Sequence, residues 1–326
     1  MRPLVPIVRR HIVLICIFVI LSSQSFAQSI TTGNGKIEIG LGFGPLFFVG
    51  DLGGNPGPGK TFIKDVNLPL TKLQKGIYIN LYPSEWLGVR VALNQGVIEA
   101  YDSIVKDKGG QEGDRLQRNL SFKSNLLEAY LAIEIYPTVF FEQYDGLQGK
   151  LRPYGLIGIG GFKYNPKAEY IDANLNRRWV ELRPLRLEGQ GMTQYPDRKQ
   201  YSLTQLEVPM AIGLKYYIKE NMYVGIEILY RKCFSDYLDN VSTTYIDPNL
   251  FSLYLSPADV PVARQLMYRE RFYDPTITRP YIGYQRGDPK DNDAFFSNVL
   301  RFGWRLGGGN DANSRALRQL RCPSFY

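Results

Sequence analysis

The sequence has only one histidine and three cysteines among 326 residues, and no apolar run long enough for a membrane-spanning helix. The histidine, His11, lies in an N-terminal segment that we expect to be cleaved off. The remaining chain then offers no Ser-His-Asp or Cys-His catalytic centre and no imidazole ligand for a metal ion. Three cysteines are too few for a disulfide scaffold or a four-thiolate zinc site. We therefore expect a protein without enzymatic activity, cofactor or metal.

A secretory signal peptide is predicted over residues 1–27. Three arginines give it a positive start, residues 12–21 form its apolar core, and residues 25–27 have the small-x-small spacing of a cleavage site. Cleavage after Ala27 leaves 36 basic and 31 acidic residues, a net charge of +5. An exported chain with no later apolar helix is expected to be either soluble beyond the inner membrane or a β-barrel of the outer membrane.

Eight later segments alternate with the period of two that is typical of strands: 37–43, 76–82, 86–94, 126–136, 153–163, 206–218, 222–233 and 295–306. One face of each segment is apolar, and the other carries glycine, small polar residues and isolated charges, although the facing of the fifth segment is ambiguous. A periplasmic β-sandwich, the main alternative, would also alternate, but its outward face would be densely charged. The sparse second face indicates a narrow polar lumen. The sequence therefore predicts an all-β fold, an eight-stranded antiparallel transmembrane β-barrel, over residues 28–306.

The lengths of the connections support the barrel. Residues 83–85 and 219–221 are tight turns, whereas four connections are long: 51–75, 95–123, 164–203 and 234–294. Outer-membrane barrels have short periplasmic turns and long external loops, so this alternation places both termini in the periplasm. The connection 137–150 departs from the pattern, since it is longer than a tight turn.

Isolated charges on the second face of the strands predict a polar interior. Five acids and five bases lie there: Glu38, Glu128, Glu134, Glu207, Glu227, Arg90, Lys215, Arg231, Arg301 and Arg305. We interpret them as an ion-pair network that fills the lumen, because an eight-stranded barrel has room only for its own side chains and unpaired charges there are unfavourable. Glu227 and Arg231, four residues apart on one strand, share a face and are predicted to belong to one paired network. A glycosidase-like carboxylate pair and an ion path are the functional alternatives.

The long loops contain one motif of apparent interest. Residues 54–61 fit the phosphate-loop pattern G-x-x-x-x-G-K-T, but two prolines remove backbone donors and no helical pattern follows. We interpret this segment as an external loop, and we expect neither nucleotide nor nucleic acid as a partner. Residues 263–286 mix tyrosine with arginine, as protein interfaces do, although barrel loops and membrane aromatic belts show the same mixture.

The chain continues for twenty residues after the last predicted strand, over 307–326. Three glycines begin this periplasmic tail, and Arg315, Arg318 and Arg321 make it basic. A frayed end is one interpretation, and a docking peptide is the one we favour. Cys322 lies in this tail, whereas Cys233 is predicted near the outer end of the barrel, too distant for a disulfide between them. Cys322 is therefore predicted to stay reduced or to bond to another protein.

The first strand and loop (EIGLGFGPLFFVGDLGG), the turn YPSEWLGVR and the terminal LRCPSFY resemble the PorG-like outer-membrane barrels of Bacteroidetes. The resemblance implies an outer-membrane component of the type IX secretion system, which exports surface proteins and supports gliding motility. It also implies two partners beside the membrane lipids, a periplasmic ring lipoprotein (PorK-like) and its companion (PorN-like). The alternative is a stand-alone small pore or a surface receptor or adhesin.

Overall fold

The computed structural model of the chain describes residues 37–52, 71–104, 112–142, 147–273, 276 and 280–306. The predicted signal peptide, the phosphate-loop-like segment 54–61 and the tail 307–326 lie outside these residues. No helix in the described ranges is long and apolar enough to cross a membrane.

Eight long antiparallel strands form a closed barrel: β1 (Ile37–Val49), β2 (Lys72–Ser84), β3 (Leu87–Tyr101), β4 (Ser121–Ile135), β5 (Leu151–Tyr164), β8 (Thr204–Lys219), β9 (Met222–Cys233) and β10 (Ala294–Leu306). Each pairs with the next one in this series, and β10 pairs with β1. The terminal pairing aligns Ile37 with Leu306, which closes the sheet and removes its free edges. The prediction of an eight-stranded antiparallel barrel is confirmed.

Burial follows the period of two along the barrel strands. In β4, for example, Leu127, Leu131 and Ile133 are exposed, while Glu128, Tyr130 and Ala132 are buried. The exposed apolar side chains form a continuous outward belt, and the buried ones point into the barrel. Strand β5, whose facing the sequence left ambiguous, points Tyr154 and Phe162 inward and Ile157 outward. An outward apolar belt of this kind is the lipid-facing surface of a transmembrane barrel.

The barrel strands extend further outward than the sequence pattern indicates. Strand β3 runs on to Tyr101, although its alternation is clear only to Asn94, and β4 begins at Ser121 rather than at residue 126. The register pairs Tyr101 with Ser121, so the two extensions stabilise each other by backbone hydrogen bonds. The outer ends of the strands therefore project beyond the segments that the alternation predicts.

The described parts of the long outer connections fold into an ordered cap on the barrel. The cap contains a hairpin of β6 (Lys167–Ile171) and β7 (Arg177–Glu181), and four short helices: α1 (Glu112–Arg118), α2 (Phe251–Tyr254), α3 (Asp259–Met267) and α4 (Glu270–Tyr273). Three-residue 3-10 helices at Asp102–Ile104, Arg183–Leu185 and Pro248–Leu250 join them. The hairpin extends the barrel sheet through a contact between β6 and β4. These connections are thus structured, whereas the sequence pattern indicates only loops.

The inner end of the barrel carries the short turns and an aromatic group. The connection from β4 to β5 begins with the 3-10 helix Pro137–Phe141, and the Trp86 and Phe140 rings approach to 6.0 Å. Phe140 and Phe141 are among the most exposed apolar side chains. Tryptophan and other aromatic residues collect where a barrel meets the membrane interface. The longer connection at this end therefore fits the predicted topology.

Candidate functional site: the filled barrel and its outer cap

The interior of the barrel is filled with charged and aromatic side chains. The ten residues predicted for the interior network are all buried there: Glu38, Glu128, Glu134, Glu207, Glu227, Arg90, Lys215, Arg231, Arg301 and Arg305. Each stands at an inward position of its strand, as the period of two requires. Large tyrosines from β2, β4, β5, β8 and β9 share this space with them. The charges fall into clusters at successive heights of the barrel.

The central cluster is built around Glu227 of β9. One oxygen of its carboxylate accepts hydrogen bonds from Arg90 at 2.6 Å and from the Tyr154 hydroxyl at 2.6 Å, and the other pairs with Arg301. Arg90 also pairs with Glu134. The central cluster thus holds two arginines and two carboxylates within an environment that excludes solvent. Such an arrangement fixes the strands relative to one another, because every charge needs its partner.

Lys215 stands beside the central cluster within a cage of tyrosine rings. Its ammonium donates to Glu38 at 2.7 Å and to the Tyr82 hydroxyl at 2.9 Å. The ring of Tyr223 lies 4.5 Å from the nitrogen, and Tyr136, Tyr154 and Tyr82 lie 5.4–5.6 Å from it. Glu134 lies 3.5 Å from the same nitrogen, so tyrosine faces and two carboxylates replace the hydration shell of the ammonium. This cage occupies the middle of the barrel.

The outer cluster corrects one pairing that the sequence predicts. Arg231 binds Glu128 through two nitrogens, at 2.8 and 3.0 Å, and Gln74 at 3.0 Å. Its charged partner among the described residues is Glu128 and not Glu227, whose partners are in the central cluster. Both residues do face inward, but four residues along a strand separate them by about 13 Å, so each takes a partner from across the barrel.

Glu207 is also an exception to complete pairing. It is buried on β8 beside Glu128 and in the electrostatic range of Arg231, and in the described part of the chain neither of its carboxylate oxygens makes a hydrogen bond of good geometry, although the Glu128 carboxyl is close enough to share a proton with it. Arg231 is already held by Glu128 from β4. The face of a strand predicts that a side chain points inward, but not which neighbour it meets.

The inner mouth of the barrel is closed by a further set of charges. Arg152 bridges two connections, binding Glu142 at 2.7 Å and Glu85 at 3.0 Å. Lys150 also pairs with Glu142, and Arg305 lies 3.6 Å from Glu85. These contacts tie the turn after β2 to the connection after β4. The inner rim therefore has a defined shape, which the sequence did not predict because four of these five groups lie outside the alternating segments.

An apolar core fills the outer third of the barrel and continues into the cap. Phe122, Phe162 and Phe295 project inward from three strands and pack against apolar side chains of the outer connections, including Leu185, Leu187, Leu238, Ile246, Phe251 and Met267. Cys233 is part of this core and is a free, fully buried thiol. The described side chains thus leave the barrel filled from the inner mouth to the cap. Cys322 and the tail arginines Arg315, Arg318 and Arg321 lie outside the described residues.

Sequence reasoning missed a group of buried acids at the base of the cap. Asp51 follows β1, Asp236 and Asp239 follow β9, and Asp293 precedes β10. We call these four acids the aspartate quartet. Burial raises the pKa of Asp236 to about 9 and that of Asp239 to about 8, with repulsion from Asp51 adding to both. Burial also raises the pKa of Asp51 to about 6 and that of Asp293 well above its ordinary value. Acids flanking neighbouring strand ends were the available signal in the sequence.

The charged groups of the central cluster are engaged with one another. The carboxylates of the central cluster are engaged by arginine or tyrosine, so none is free to act as a general acid or base beside an accessible cleft. Among the described residues, no three histidine, cysteine, aspartate or glutamate side chains converge closely enough to surround a metal ion as they stand. The described interior is closely filled by side chains, and its ion pairs join different strands of the barrel.

Comparison with known proteins identifies a family. Residues 10–254 match the family model described as a domain of unknown function, DUF6089, so the chain belongs to that family. A search of curated proteins gives no match. Solved structures that resemble the chain include the attachment invasion locus protein Ail of Yersinia pestis, with 9% identity, TM-score 0.35, and coverage of 84% of this chain and 100% of that one.

Two other resembling structures are also barrels. Neisserial surface protein A has 7% identity, TM-score 0.35, and coverage of 84% of this chain and 99% of that one. The N-terminal barrel domain of Pseudomonas aeruginosa OprF has 11% identity, TM-score 0.28, and coverage of 84% of this chain and 100% of that one. At these identities the likeness concerns the fold alone.

Proposed function

We propose that this member of the DUF6089 family is a non-enzymatic barrel of the outer membrane that anchors a periplasmic protein assembly. The observation that carries the proposal is the filled interior. Arginine, glutamate and tyrosine occupy the middle of the barrel, and the apolar core occupies its outer third. A barrel packed in this way offers no water-filled path for a solute, so an anchoring or recognition role fits it better than transport through the lumen.

The membrane is the first expected partner. The outward belt is apolar along every barrel strand and ends, at the inner rim, in the exposed aromatic group of Trp86, Phe140 and Phe141. Exposing this much apolar surface to water would be strongly unfavourable, whereas lipid chains cover it without a penalty. The export signal predicted over residues 1–27 agrees with delivery to the outer membrane.

The periplasmic ring lipoprotein (PorK-like) and its companion (PorN-like) are the further partners that the sequence resemblance implies. The final strand, β10, ends at Leu306 at the inner rim, which also holds the ion pair of Arg152 and Glu142, and the basic tail follows Leu306 in the sequence. A fixed rim and a basic tail on the same side form a suitable docking surface for an acidic protein face. This assignment makes the chain a component of the type IX secretion system.

A surface receptor or adhesin is the second candidate, and the ordered cap favours it. The hairpin of β6 and β7 is held out from the barrel and exposes Leu175 at its tip and Trp179 beside Arg177 and Arg178. Mixed aromatic and arginine surfaces are common in protein interfaces. This candidate places the binding surface outside the cell rather than in the periplasm.

Capture of partners from solubilised outer membranes distinguishes the two candidates. We expect the full mature chain to retain the ring lipoprotein and its companion, and a chain without residues 307–326 to lose them. Replacing Arg318 and Arg321 by glutamine should weaken capture, whereas replacing the external Arg177 and Arg178 is the charge-matched control and should not. Equal capture by the truncated and full chains would refute docking through the tail, and loss only with the external pair would favour the receptor.

A further inference from the structure

We propose that the outer strand of the cap hairpin, β7 (Arg177–Glu181), is an adhesive edge that pairs with the same strand of a second copy of this chain in an opposing outer membrane. The proposal rests on the placement of the barrel in the outer membrane and does not depend on docking through the tail. It is carried by the free edge of β7, by the order of charges along that edge and by the direction of the hairpin.

Strand β7 has a partner strand on one side only. The sheet continues from β4 through β6 to β7 and ends there. Just beyond the hairpin ladder, the Asp172 amide donates to the Asn176 carbonyl oxygen at 3.0 Å. Bonded and non-bonded pairs alternate along an antiparallel ladder, so every second residue of β7 counted from Asn176 bonds to β6. The N–H and C=O groups of Arg177, Trp179 and Glu181 therefore point to the free edge.

This edge is open to solvent and uninterrupted. Arg177, Arg178, Trp179 and Glu181 are exposed, and Trp179 is 43% exposed. The strand contains no proline, and its five pairs with β6 run without a register shift, so no bulge bends the edge away. A straight free edge of this kind can add a further strand through backbone hydrogen bonds. The charges along it restrict which strand can be added, because like charges directly across a strand pair are destabilising.

The sequence of β7 is complementary to itself in the antiparallel direction. When two copies pair about Trp179, Arg177 of each lies opposite Glu181 of the other. These are the residues whose backbone groups point to the free edge, so each opposed pair can exchange two hydrogen bonds. Arg177 and Glu181 also contact Glu169 and Lys167 of β6, both at 3.3 Å, but these exposed pairs contribute little and leave the charges available. A second copy thus satisfies the free backbone groups and matches the charges.

The hairpin prolongs the barrel wall, which determines where the second copy lies. The register that pairs Leu126 of β4 with Tyr164 of β5 continues without a shift to Lys123 of β4 and Lys167 of β6. Strand β6 therefore continues β5 outward along β4, and the hairpin keeps the upright orientation of the wall. The two-fold axis of an antiparallel pair is perpendicular to its sheet, so here it lies close to the membrane plane. A half turn about that axis reverses the membrane normal, so the two copies belong to opposing membranes.

The contact is small, and its strength depends on the number of copies. An edge of five residues buries much less than the roughly 1,200 Å² of a stable interface, so chains in detergent should remain monomeric. Two opposed membranes present many copies at once, and each contact raises the effective concentration for the next. Vesicles that carry the barrel are therefore the suitable material for a test.

Clustering of proteoliposomes tests the proposal. The full mature chain is folded into phosphatidylcholine vesicles in two populations with different lipid dyes, and co-localisation of the dyes is measured. Wild-type vesicles should cluster, whereas protein-free vesicles should not. Arg177→Glu and Glu181→Arg should each reduce clustering about tenfold or more, because like charges then face each other across the edge. Mixing these two variant populations should restore clustering to within about twofold, since an acidic edge then meets a basic one.

Arg264→Glu is the matched control, because it reverses the charge of an exposed arginine elsewhere on the cap and should leave clustering unchanged. Heat-modifiable migration on gels verifies the folding of every variant. The proposal is overturned by folded wild-type chains whose vesicles stay separate, by clustering that survives both charge reversals, or by mixed variant populations that fail to cluster. A chain that does not insert into lipid would contradict the outer-membrane placement on which the proposal rests.

A thiol placed on the two-fold axis gives a second readout. In a chain that also carries Cys322→Ser, Trp179→Cys brings two thiols opposite each other with about 5.5 Å between their Cα atoms, which suits a disulfide. Oxidation of mixed vesicles that carry chains of different mass should join the two masses. Leu175→Cys, at the more exposed tip, should give no such product, since its two copies would lie about 27 Å apart. Cross-links confined to one vesicle population would overturn the opposing arrangement.

Discussion

Glu227 lies at the centre of the interior ion pairs, and its replacement tests how much they contribute to the stability of the barrel. Its carboxylate is shared by Arg90 and Arg301, and it accepts a further hydrogen bond from Tyr154. In Glu227→Gln, Arg90 keeps Glu134, but Arg301 keeps no carboxylate, only a hydrogen bond of 3.4 Å to Tyr130 and the face of the Tyr78 ring at 4.7 Å. A buried charge that loses its partner costs about 3–5 kcal/mol, so we expect a loss of that size in the free energy of unfolding.

A double-mutant cycle separates this pairing from a general loss of polarity. Arg301→Gln alone should also destabilise the barrel by about 3–5 kcal/mol. The double variant, Glu227→Gln with Arg301→Gln, leaves the neutral pair of Arg90 and Glu134 and should lose less than the sum, with a coupling energy above about 1 kcal/mol. The matched control is Glu227→Gln with Arg231→Gln. Those two side chains share a strand face but lie in different clusters, so their effects should add within about 0.5 kcal/mol.

Urea titration of the barrel refolded in liposomes, followed by tryptophan fluorescence, supplies the four free energies of each cycle. The interpretation of the interior requires coupling in the cycle with Arg301 and additivity in the cycle with Arg231. The reverse result would refute the central cluster and would restore the simpler pairing along one strand. Additivity in both cycles would show that the interior charges are solvated, as in an open pore.

Other predictions concern the lipid face, the strand packing, the cap and the thiols. Ile226→Arg, on the outward face of β9, should cost about 2–4 kcal/mol in the same urea assay, and an unchanged midpoint would contradict a lipid-facing position. Gly225→Ala should destabilise the barrel, because its Cβ would lie 2.7 Å from a backbone oxygen, whereas Gly155→Ala has open space and is the matched control. The raised pKa values of the aspartate quartet mean that the folded cap holds protons that the unfolded chain releases near pH 4. Its resistance to protease should therefore fall as pH rises from about 4 to about 9, and a flat profile would contradict the burial and the mutual repulsion that raise these pKa values. The fully buried Cys233 should resist alkylation in the folded chain. Non-reducing gels should show no Cys233–Cys322 disulfide, and a Cys322 cross-link to another protein would give a band on them above the monomer.

The strands and their facing could be predicted from the sequence because these properties are local. A period of two needs only the residues of one segment, and eight such segments joined by alternately short and long connections predict a barrel with its long connections on one side. The inward placement of Glu38, Arg90 and Arg301 follows from the same pattern. The proposed roles of the tail and of Cys322 rest on the sequence alone.

Partner choice in the interior was decided only by the tertiary structure. Arg231 binds Glu128 and not Glu227, because side chains in a narrow barrel reach across the lumen to other strands. Their relative heights depend on register and tilt, which no single segment encodes. Glu207 shows the same limit. It points inward as predicted, but neither of its carboxylate oxygens makes a hydrogen bond of good geometry in the described structure.

The cap shows most clearly where the sequence stops and the tertiary structure begins. Alternation ends outside the barrel, so the hairpin of β6 and β7, the short helices and the apolar core beneath them had no periodic signal. The aspartate quartet is drawn from three places in the chain and assembles only because β9, β10 and β1 end side by side. Local periodicity therefore determined the strands and their faces, and closure of the sheet decided which distant residues meet, because contacts across a barrel depend on the arrangement of all its strands together.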